Sequence, residues 1–377
     1  MEELTEIRHY LHAHPEVSGK EKNTSKYIRE KLVESGVEKI HTEFSQNSLI
    51  AEINGKSKGA TILFRCELDA LPIKEEIELS YKSDNKGVSH KCGHDGHMAI
   101  MLGLTNNLLS ETPEKGTFLL LFQSAEETGE GAKSILDSGY LDRFEIDYAI
   151  SLHNVPGYPK NSIICRKNVF TPTVESLSIE LTGETSHAGE PDKGKNPAMA
   201  VAEIIRFFEQ LHQPNMNLPN YFVVAPVQII MGEEAYGISA GSATVRYTIR
   251  GTDIDFFKTQ KDRIISEINK IADNENLESS IEWLESFSSN KNDPQVVDRI
   301  KRACAELGMK YIDKESPFDW GEDFGLFTQK YKGAMFGLGS GEETPPLHDS
   351  RYDFPDEIIS HGQNLFFQLA KNLQNDI

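Results

Sequence analysis

Hydrophobic residues in the first part of the chain follow two different periods. Apolar positions at helical spacing predict helices at 2–13, at 22–35 and from near Gly96. Short, continuous apolar runs predict buried strands at 60–72, 117–127 and 147–154. Apolar strands separated by helices are typical of an α/β fold with a largely parallel sheet.

The hydrophobic pattern changes near residue 172. The next segments predict strand, helix, strand, strand, helix and strand at 174–184, 196–213, 220–232, 242–250, 255–273 and 279–287. Asn196 and Pro197 suit the N-cap and first position of the first of these helices. The β-α-β-β-α-β order indicates a ferredoxin-like unit. After 291–295 the earlier alternation resumes, so we expect one domain at 1–171 and 288–377, with an inserted α+β domain at 172–287.

Composition narrows the possible partners and the compartment. The chain has 377 residues, of which 38% are hydrophobic, and a net charge of −20, which argues against nucleic acid or an anionic membrane as partner. Its four cysteines are scattered and favour a reducing compartment. The N-terminus shows no secretion-signal pattern, and no apolar run is long enough to span a bilayer. We therefore expect a cytoplasmic protein.

Acids and histidines follow the buried strands at the points where these end. Glu67 and Asp69 follow the first strand, Glu126 and Glu127 the second, and His153 the third, while Cys92, His94 and His348 lie in loops. Ligand sites of open α/β sheets lie at the carboxyl ends of the strands. Singly, each feature also fits a solvated turn or a structural histidine. Together, a cysteine, histidines and spare acids predict a metal centre with its own base.

Six segments fall in order along the chain with compatible spacing: LHAHPE, RCELDALPI, KCGHDGHMA, SAEETGEGAKSIL, SLHNVPG and PLHDSRYDFPDE. Together they resemble the N-acyl-amino-acid amidohydrolases, namely auxin-conjugate hydrolases, aminoacylases and hippurate hydrolases. These form a branch of the aminoacylase/glutamate-carboxypeptidase metallopeptidases. The resemblance extends from residue 8 to about residue 356, and it depends on the combination of motifs.

The resemblance implies a dinuclear metal-binding α/β domain with an inserted ferredoxin-like domain that is used for dimerisation. It implies two divalent ions per chain (zinc, manganese, nickel or cobalt), and these metal ligands: Cys92, His94, Glu127, His153 and His348. It makes Glu126 the general base, and Asp69 a residue that orients the site. His187, in the inserted domain, corresponds to a histidine that helps hold the reacting carbonyl, often across the dimer interface. His97 is expected to support the site.

The reaction implied is cleavage of N-acetyl or N-aroyl amino acids to a carboxylic acid and an amino acid. Alternatives within the same chemistry are a dipeptidase or carboxypeptidase and an N-acetyl-diaminopimelate-type deacetylase. A non-catalytic binding homologue is a further alternative, although it would not need the unligated acid of the Glu126–Glu127 pair. A thiol enzyme using Cys92 is another, but no resolving cysteine lies nearby in the sequence.

Three positions depart from the family pattern. Glu67 stands where relatives carry an aspartate, and Gly237 stands where they carry an asparagine that commonly touches substrate. The SLHNVPG segment lacks a tryptophan seen in many relatives. Arg250 is retained and is a candidate for binding a substrate carboxylate. We therefore expect an intact hydrolytic centre with an unusual specificity.

Overall fold

The computed structural model describes residues 2–374. Within them the chain forms two compact units. The first contains the residues up to Phe170, Asn290–Glu315 and the residues from Glu322 onward, and the second contains Thr171–Ser289 and Ser316–Gly321. The second unit therefore includes a short segment that lies outside the predicted inserted domain, 172–287.

The helices are α1 (Glu2–Ala13), α2 (Lys22–Glu34), α3 (His94–Ser110), α4 (Gly131–Asp137), α5 (Ala198–Leu211), α6 (Ile254–Asn274), α7 (Pro294–Glu306), α8 (Gly325–Lys330) and α9 (Ile359–Leu373). Three short 3-10 helices lie at Tyr140–Arg143, Pro191–Lys193 and Asp356–Ile358. Within residues 2–374, none of the helices has the length and apolar character needed to cross a membrane.

The strands of the first unit are β1 (Lys39–His41), β2 (Leu49–Asn54), β3 (Ser57–Glu67), β4 (Lys115–Gln123), β5 (Tyr148–Pro156), β6 (Ile163–Cys165), β7 (Asn168–Thr171, its last residue in the second unit), β14 (Asn290–Asn292), β15 (Tyr311–Asp313) and β16 (Lys332–Gly341). Those of the second unit are β8 (Thr173–Thr182), β9 (Ser186–His187), β10 (Phe222–Met231), β11 (Ile238–Ser239), β12 (Ser242–Gly251) and β13 (Glu278–Phe287).

The first unit is built on an eight-stranded sheet in the order β1-β2-β4-β3-β5-β16-β6-β15. Strands β4, β3, β5 and β16 run parallel to their neighbours within this group, while the pairs β1–β2, β2–β4 and β6–β16 are antiparallel. The mostly parallel α/β sheet predicted from the apolar runs is confirmed. Two predicted strands end earlier than expected, β3 at Glu67 and β4 at Gln123, so that the acids after them lie in turns.

Helix α3 is the central helix of the first unit. It packs against α1, α9 and β3, and its first twelve residues are all buried. The apolar residues Met98, Met101, Leu104 and Leu108, predicted to share helical spacing, all lie in the core. The helix begins at His94, two residues before the predicted start, because its first turn carries buried polar residues that the hydrophobic pattern does not include.

The second unit is a four-stranded antiparallel sheet in the order β10-β12-β8-β13, packed against α5 and α6. This arrangement confirms the ferredoxin-like unit. Burial alternates along β12, where Val245, Tyr247 and Ile249 face the core as predicted. Strand β10 is an edge strand of this sheet, and its second half is exposed.

Candidate metal centre

The ligand-bearing segments meet at one edge of the large sheet. Strands β3, β4, β5 and β16 are parallel, so their carboxyl ends lie at the same edge. Glu67 ends β3, Glu126 and Glu127 follow β4, and His153 lies near the end of β5. His348 follows β16, and Cys92 and His94 enter α3. All five predicted metal ligands belong to the first unit.

Cys92 belongs to two groups of possible ligand atoms. In the first, Cys92 lies with His94 and His153, and in the second with Glu127 and His348; within each group the ligand atoms lie within 4.8 Å of one another. Cys92 Sγ is 3.4 Å from His153 Nε2, and Glu127 Oε2 is 3.7 Å from His348 Nε2. Tetrahedral coordination with bonds of about 2.0–2.3 Å separates ligand atoms by about 3.3–3.7 Å. The geometry therefore fits two cations that share the thiolate.

The imidazoles are oriented for coordination. His94 Nδ1 donates to the carbonyl oxygen of Asp69 at 2.9 Å, and His153 Nδ1 donates to the carbonyl oxygen of Asn154 at 2.9 Å. In the neutral tautomer that these bonds select, each ring presents an unprotonated Nε2, as metal-binding histidines do. Within residues 2–374, buried His94 Nε2 and Glu127 Oε1 have no hydrogen-bond partner, which is costly unless a cation occupies the space between such atoms.

Asp69 connects two of the segments that carry predicted ligands. Its carboxylate accepts hydrogen bonds from the backbone N–H of Glu127 at 2.9 Å and from Ser18 Oγ at 2.7 Å. Its Oδ1 lies 3.3 Å from His94 Nδ1. Asp69 thus connects the turn after β4 with the first turn of α3.

The backbone at the site adopts rare conformations. Ala125 and His348 have positive φ angles of 56° and 67°, which non-glycine residues seldom adopt. Gly93, between Cys92 and His94, has φ 90°, and a Cβ there would lie 2.6 Å from Asn154 Oδ1. Such strain persists where surrounding contacts enforce it, commonly at functional sites.

Burial and nearby charges shift the pKa values of the candidate ligands. Burial, together with the charges of Glu127 and Glu126, raises the pKa of the Cys92 thiol well above its usual value. Burial raises the pKa of Glu127 to about 7. For His94, burial acts in the opposite direction, but Asp69 and the nearby carboxylates raise its pKa to about 10. Without a metal the thiol stays protonated, which disfavours the reading of Cys92 as a free nucleophile.

Glu126 is the acid outside the two groups that share Cys92. Its Oε2 lies 4.0 Å from His94 Nε2, and its Oε1 accepts a hydrogen bond from the backbone N–H of Asp323 at 3.4 Å. Burial and the charges of Glu322 and Glu127 raise its pKa well above the usual value for a carboxyl. A carboxyl beside the ligands, with a raised pKa, is suited to accept and return a proton.

A buried ionic network beside the site was not predicted from the sequence. The guanidinium of Arg65 contacts Glu67 and Asp323, lies 2.9 Å from Glu322 and donates to Gln123 Oε1 at 3.0 Å. Its side chain is fully buried. One sequence signal was available, namely a charged residue inside the apolar run TILFR.

This network also gives a role to Glu67, which stands where relatives carry an aspartate. One oxygen of Glu67 binds Arg65, and the other accepts a hydrogen bond from His97 Nδ1 at 2.6 Å. His97 Nε2 in turn accepts from the backbone N–H of Asn154 at 3.2 Å. With both ring nitrogens bonded to protein groups, His97 supports the strand that carries His153.

The remaining predicted residues lie in the second unit. His187 is exposed on β9, and its Nδ1 accepts a hydrogen bond from the N–H of Gly189 at 3.0 Å, so the neutral ring carries its proton on Nε2. Gly237 precedes β11, which pairs with β9, and its carbonyl accepts from the N–H of Ala188 at 2.9 Å. Arg250 Nε donates to the carbonyl of Asp319 at 3.0 Å.

A mostly parallel sheet with cysteine, histidine and carboxylate side chains clustered at its carboxyl edge provides what a metal-dependent hydrolase requires. The sequence model of Peptidase family M20/M25/M40 matches residues 63–372, and the chain belongs to this family.

Characterised relatives and a solved structure agree with this assignment. The chain is 30% identical over 370 residues to hippurate hydrolase of Campylobacter jejuni, covering 98% of this chain and 96% of the relative. It is 29% identical to N-acetyl-L-cysteine deacetylase of Bacillus subtilis, covering 98% and 88%. The crystal structure of a dinuclear metal binding peptidase of the M20 family from Bacillus subtilis is similar, with a TM-score of 0.84 and 26% identity over 100% of this chain and 99% of that one.

Proposed function

We propose that the protein hydrolyses the amide bond of N-acyl amino acids, with acetyl or aroyl groups as the acyl part, to a carboxylic acid and a free amino acid. The observation that carries this proposal is the pair of possible ligand groups that share Cys92, with the acid Glu126 beside them and outside both. Relatives named hippurate hydrolase and N-acetyl-L-cysteine deacetylase support this substrate class.

Cys92, His94, Glu127, His153 and His348 would hold two divalent ions, for which zinc, manganese, nickel and cobalt all suit the mixed sulfur, nitrogen and oxygen donors. Bound there, such ions polarise an amide carbonyl and lower the pKa of water. Glu126 takes the proton from the attacking water and returns it to the leaving nitrogen. Asp69 keeps His94 in the orientation that coordination requires.

We assign substrate contacts to the second unit. The Nε2–H of His187 is a donor for the carbonyl oxygen as negative charge develops on it. Arg250 is a candidate for the carboxylate of the amino-acid part, because only one of its guanidinium nitrogens, Nε, is bonded to Asp319. Gly237 offers open space, since a Cβ there would meet nothing within 4 Å.

We propose a homodimer formed through β10. This edge strand exposes four apolar residues close together, with Val227 64% and Ile229 44% exposed, followed by Ile230 and Met231. An unpaired strand edge with an apolar surface is a site for pairing with another chain. A second copy of this chain presents the same edge and fits it by symmetry. We place this dimer in the cytoplasm, because all four cysteines are free and buried.

The test is a hydrolysis panel with purified protein loaded with zinc, manganese, nickel or cobalt. It contains N-acetyl and N-benzoyl amino acids, dipeptides and N-acetyl-diaminopimelate, a second candidate because N-acetyldiaminopimelate deacetylase of Halalkalibacterium halodurans is 29% identical. We expect the highest kcat/KM on an N-acyl amino acid. Preference for unblocked dipeptides would favour the peptidase alternative, and no hydrolysis at all would favour a binding homologue.

Glu126→Gln tests the base within the same panel. We expect kcat to fall about 10²–10⁴-fold, because a general base contributes about that factor. Bound metal should stay at the wild-type level, since Glu126 lies outside the two groups that share Cys92. Cys92→Ser is the comparison, and it should lose metal as well as activity. A Glu126→Gln enzyme at the wild-type rate would contradict the assignment.

A further inference from the structure

Lys91 precedes the ligand Cys92 and is fully buried, which is rare for a lysine. Its ammonium contacts the carboxylate of Glu75 and donates to the carbonyl oxygen of Tyr352 at 2.7 Å. Its own carbonyl accepts the backbone N–H of His348 at 2.8 Å. One residue therefore holds both ends of the turn from His348 to Tyr352.

That turn needs external contacts to keep its shape. His348 has φ 67°, a strained value for a residue with a side chain, and its imidazole is about half exposed. A second side-chain contact of the turn, Ser350 Oγ with the carboxylate of Glu76, lies at the surface, where water competes for it. The buried bond from Lys91 faces no such competition.

The turn is also connected to another ligand strand. Tyr352 is fully buried, and its hydroxyl is bonded to the side-chain amide of Asn154, the residue after His153. Lys91 thus joins the segment that carries Cys92 to the one that carries His348, at a point that also contacts the segment of His153. All these groups lie in the first unit.

We propose that Lys91 is a positioning residue for one of the two metal sites. By fixing the turn, Lys91 keeps His348 Nε2 facing Glu127 and Cys92. It therefore determines the affinity for the ion that Glu127 and His348 would hold. It does not determine the affinity for the ion that His94 and His153 would hold. This inference rests on the proposed function. Residues that orient metal ligands typically change metal affinity about 10–100-fold when they are replaced.

Binding of Co²⁺ alone tests the proposal, by equilibrium dialysis and visible absorption of the full-length protein. Wild type should hold two ions per chain. Lys91→Met should keep one ion at wild-type affinity and bind the second about 10–100-fold more weakly. Ser350→Ala, which removes the exposed contact to the same turn, should bind both ions like wild type.

His348→Ala completes a double-mutant cycle. If Lys91 acts through His348, adding Lys91→Met to His348→Ala weakens cobalt binding no further. Should Lys91→Met fail to fold because Glu75 loses the buried ammonium, the double variant Lys91→Met/Glu75→Gln removes the carboxylate charge, and the same cobalt measurements are made on it.

Two results would overturn the proposal. One is a Lys91→Met protein that holds both ions as wild type does, and the other is equal weakening of both ions. Neither bears on the proposed function, which fails separately if the wild type hydrolyses no N-acyl amino acid.

Discussion

Replacing Arg65 by methionine should destabilise the protein in a way that depends on pH. Arg65 and the carboxylates of Glu67, Glu322 and Asp323 are all buried to 99–100% of their side-chain surface. Although burial opposes ionisation, Arg65 and His97 hold the pKa of Glu67 well below its usual value. Without the guanidinium, at least one buried carboxylate has no counter-charge, and protonation is the least costly response.

The magnitude follows from the cost of that proton. For a glutamate with an unfolded pKa of about 4.3, the free-energy cost of protonation is about 4 kcal/mol at pH 7.5 and about 2 kcal/mol at pH 5.5. The carboxyl pKa in the folded variant is raised above its unfolded value, so stability is present at low pH and is lost as pH rises. The destabilisation should therefore grow by about 1.4 kcal/mol per pH unit above pH 4.3.

Urea denaturation of metal-free protein between pH 5.5 and 7.5 measures this slope. Arg302→Met, on the exposed face of α7, is the matched control and should change the free energy of unfolding by no more than about 0.5 kcal/mol. Adding Glu67→Gln to Arg65→Met should remove most of the slope. If Arg65→Met lowers the free energy of unfolding equally at pH 5.5 and pH 7.5, the reasoning is refuted, because an equal loss would reflect packing alone.

Four further outcomes are expected. His187→Ala should lower kcat about 10²–10³-fold with two ions still bound; loss of metal would make His187 a ligand instead. Burial alone would lower the pKa of His12, but its bonds to Asp95 and Glu75 raise it to about 9. The stabilisation that protonated His12 provides is complete below pH 6.5 and is lost by pH 9. The free energy of unfolding of wild type should fall by on the order of 3 kcal/mol over that range for this reason, and His12→Gln should remove this decrease. Gly237→Asn should change the order of preferred amino acids in kcat/KM without lowering metal content. Val227→Asp should convert a dimer to a monomer in sedimentation, and an unchanged mass would exclude the β10 interface.

The sequence alone determined three helices and three strands of the first unit, and the order of the six main elements of the second unit. Runs of apolar residues identified β3, β4 and β5, and a period of 3.6 identified the face of α3, because both signals depend on neighbours close in the chain. The strand ends were less well determined. The segments predicted as strands, 60–72 and 117–127, extend over the acids that follow β3 and β4, but β3 ends at Glu67 and β4 at Gln123.

The sequence also identified the segments that carry the predicted ligands, since each side chain follows a recognisable strand or motif. It did not predict the partners that hold these segments. Arg65 meets Asp323 across 258 positions, and Lys91 meets Tyr352 across 261. No local pattern encodes such pairs, because a buried charge finds its counter-charge only when distant segments pack together. The tertiary structure alone therefore decided which buried polar residues hold the predicted ligands and the predicted base in place.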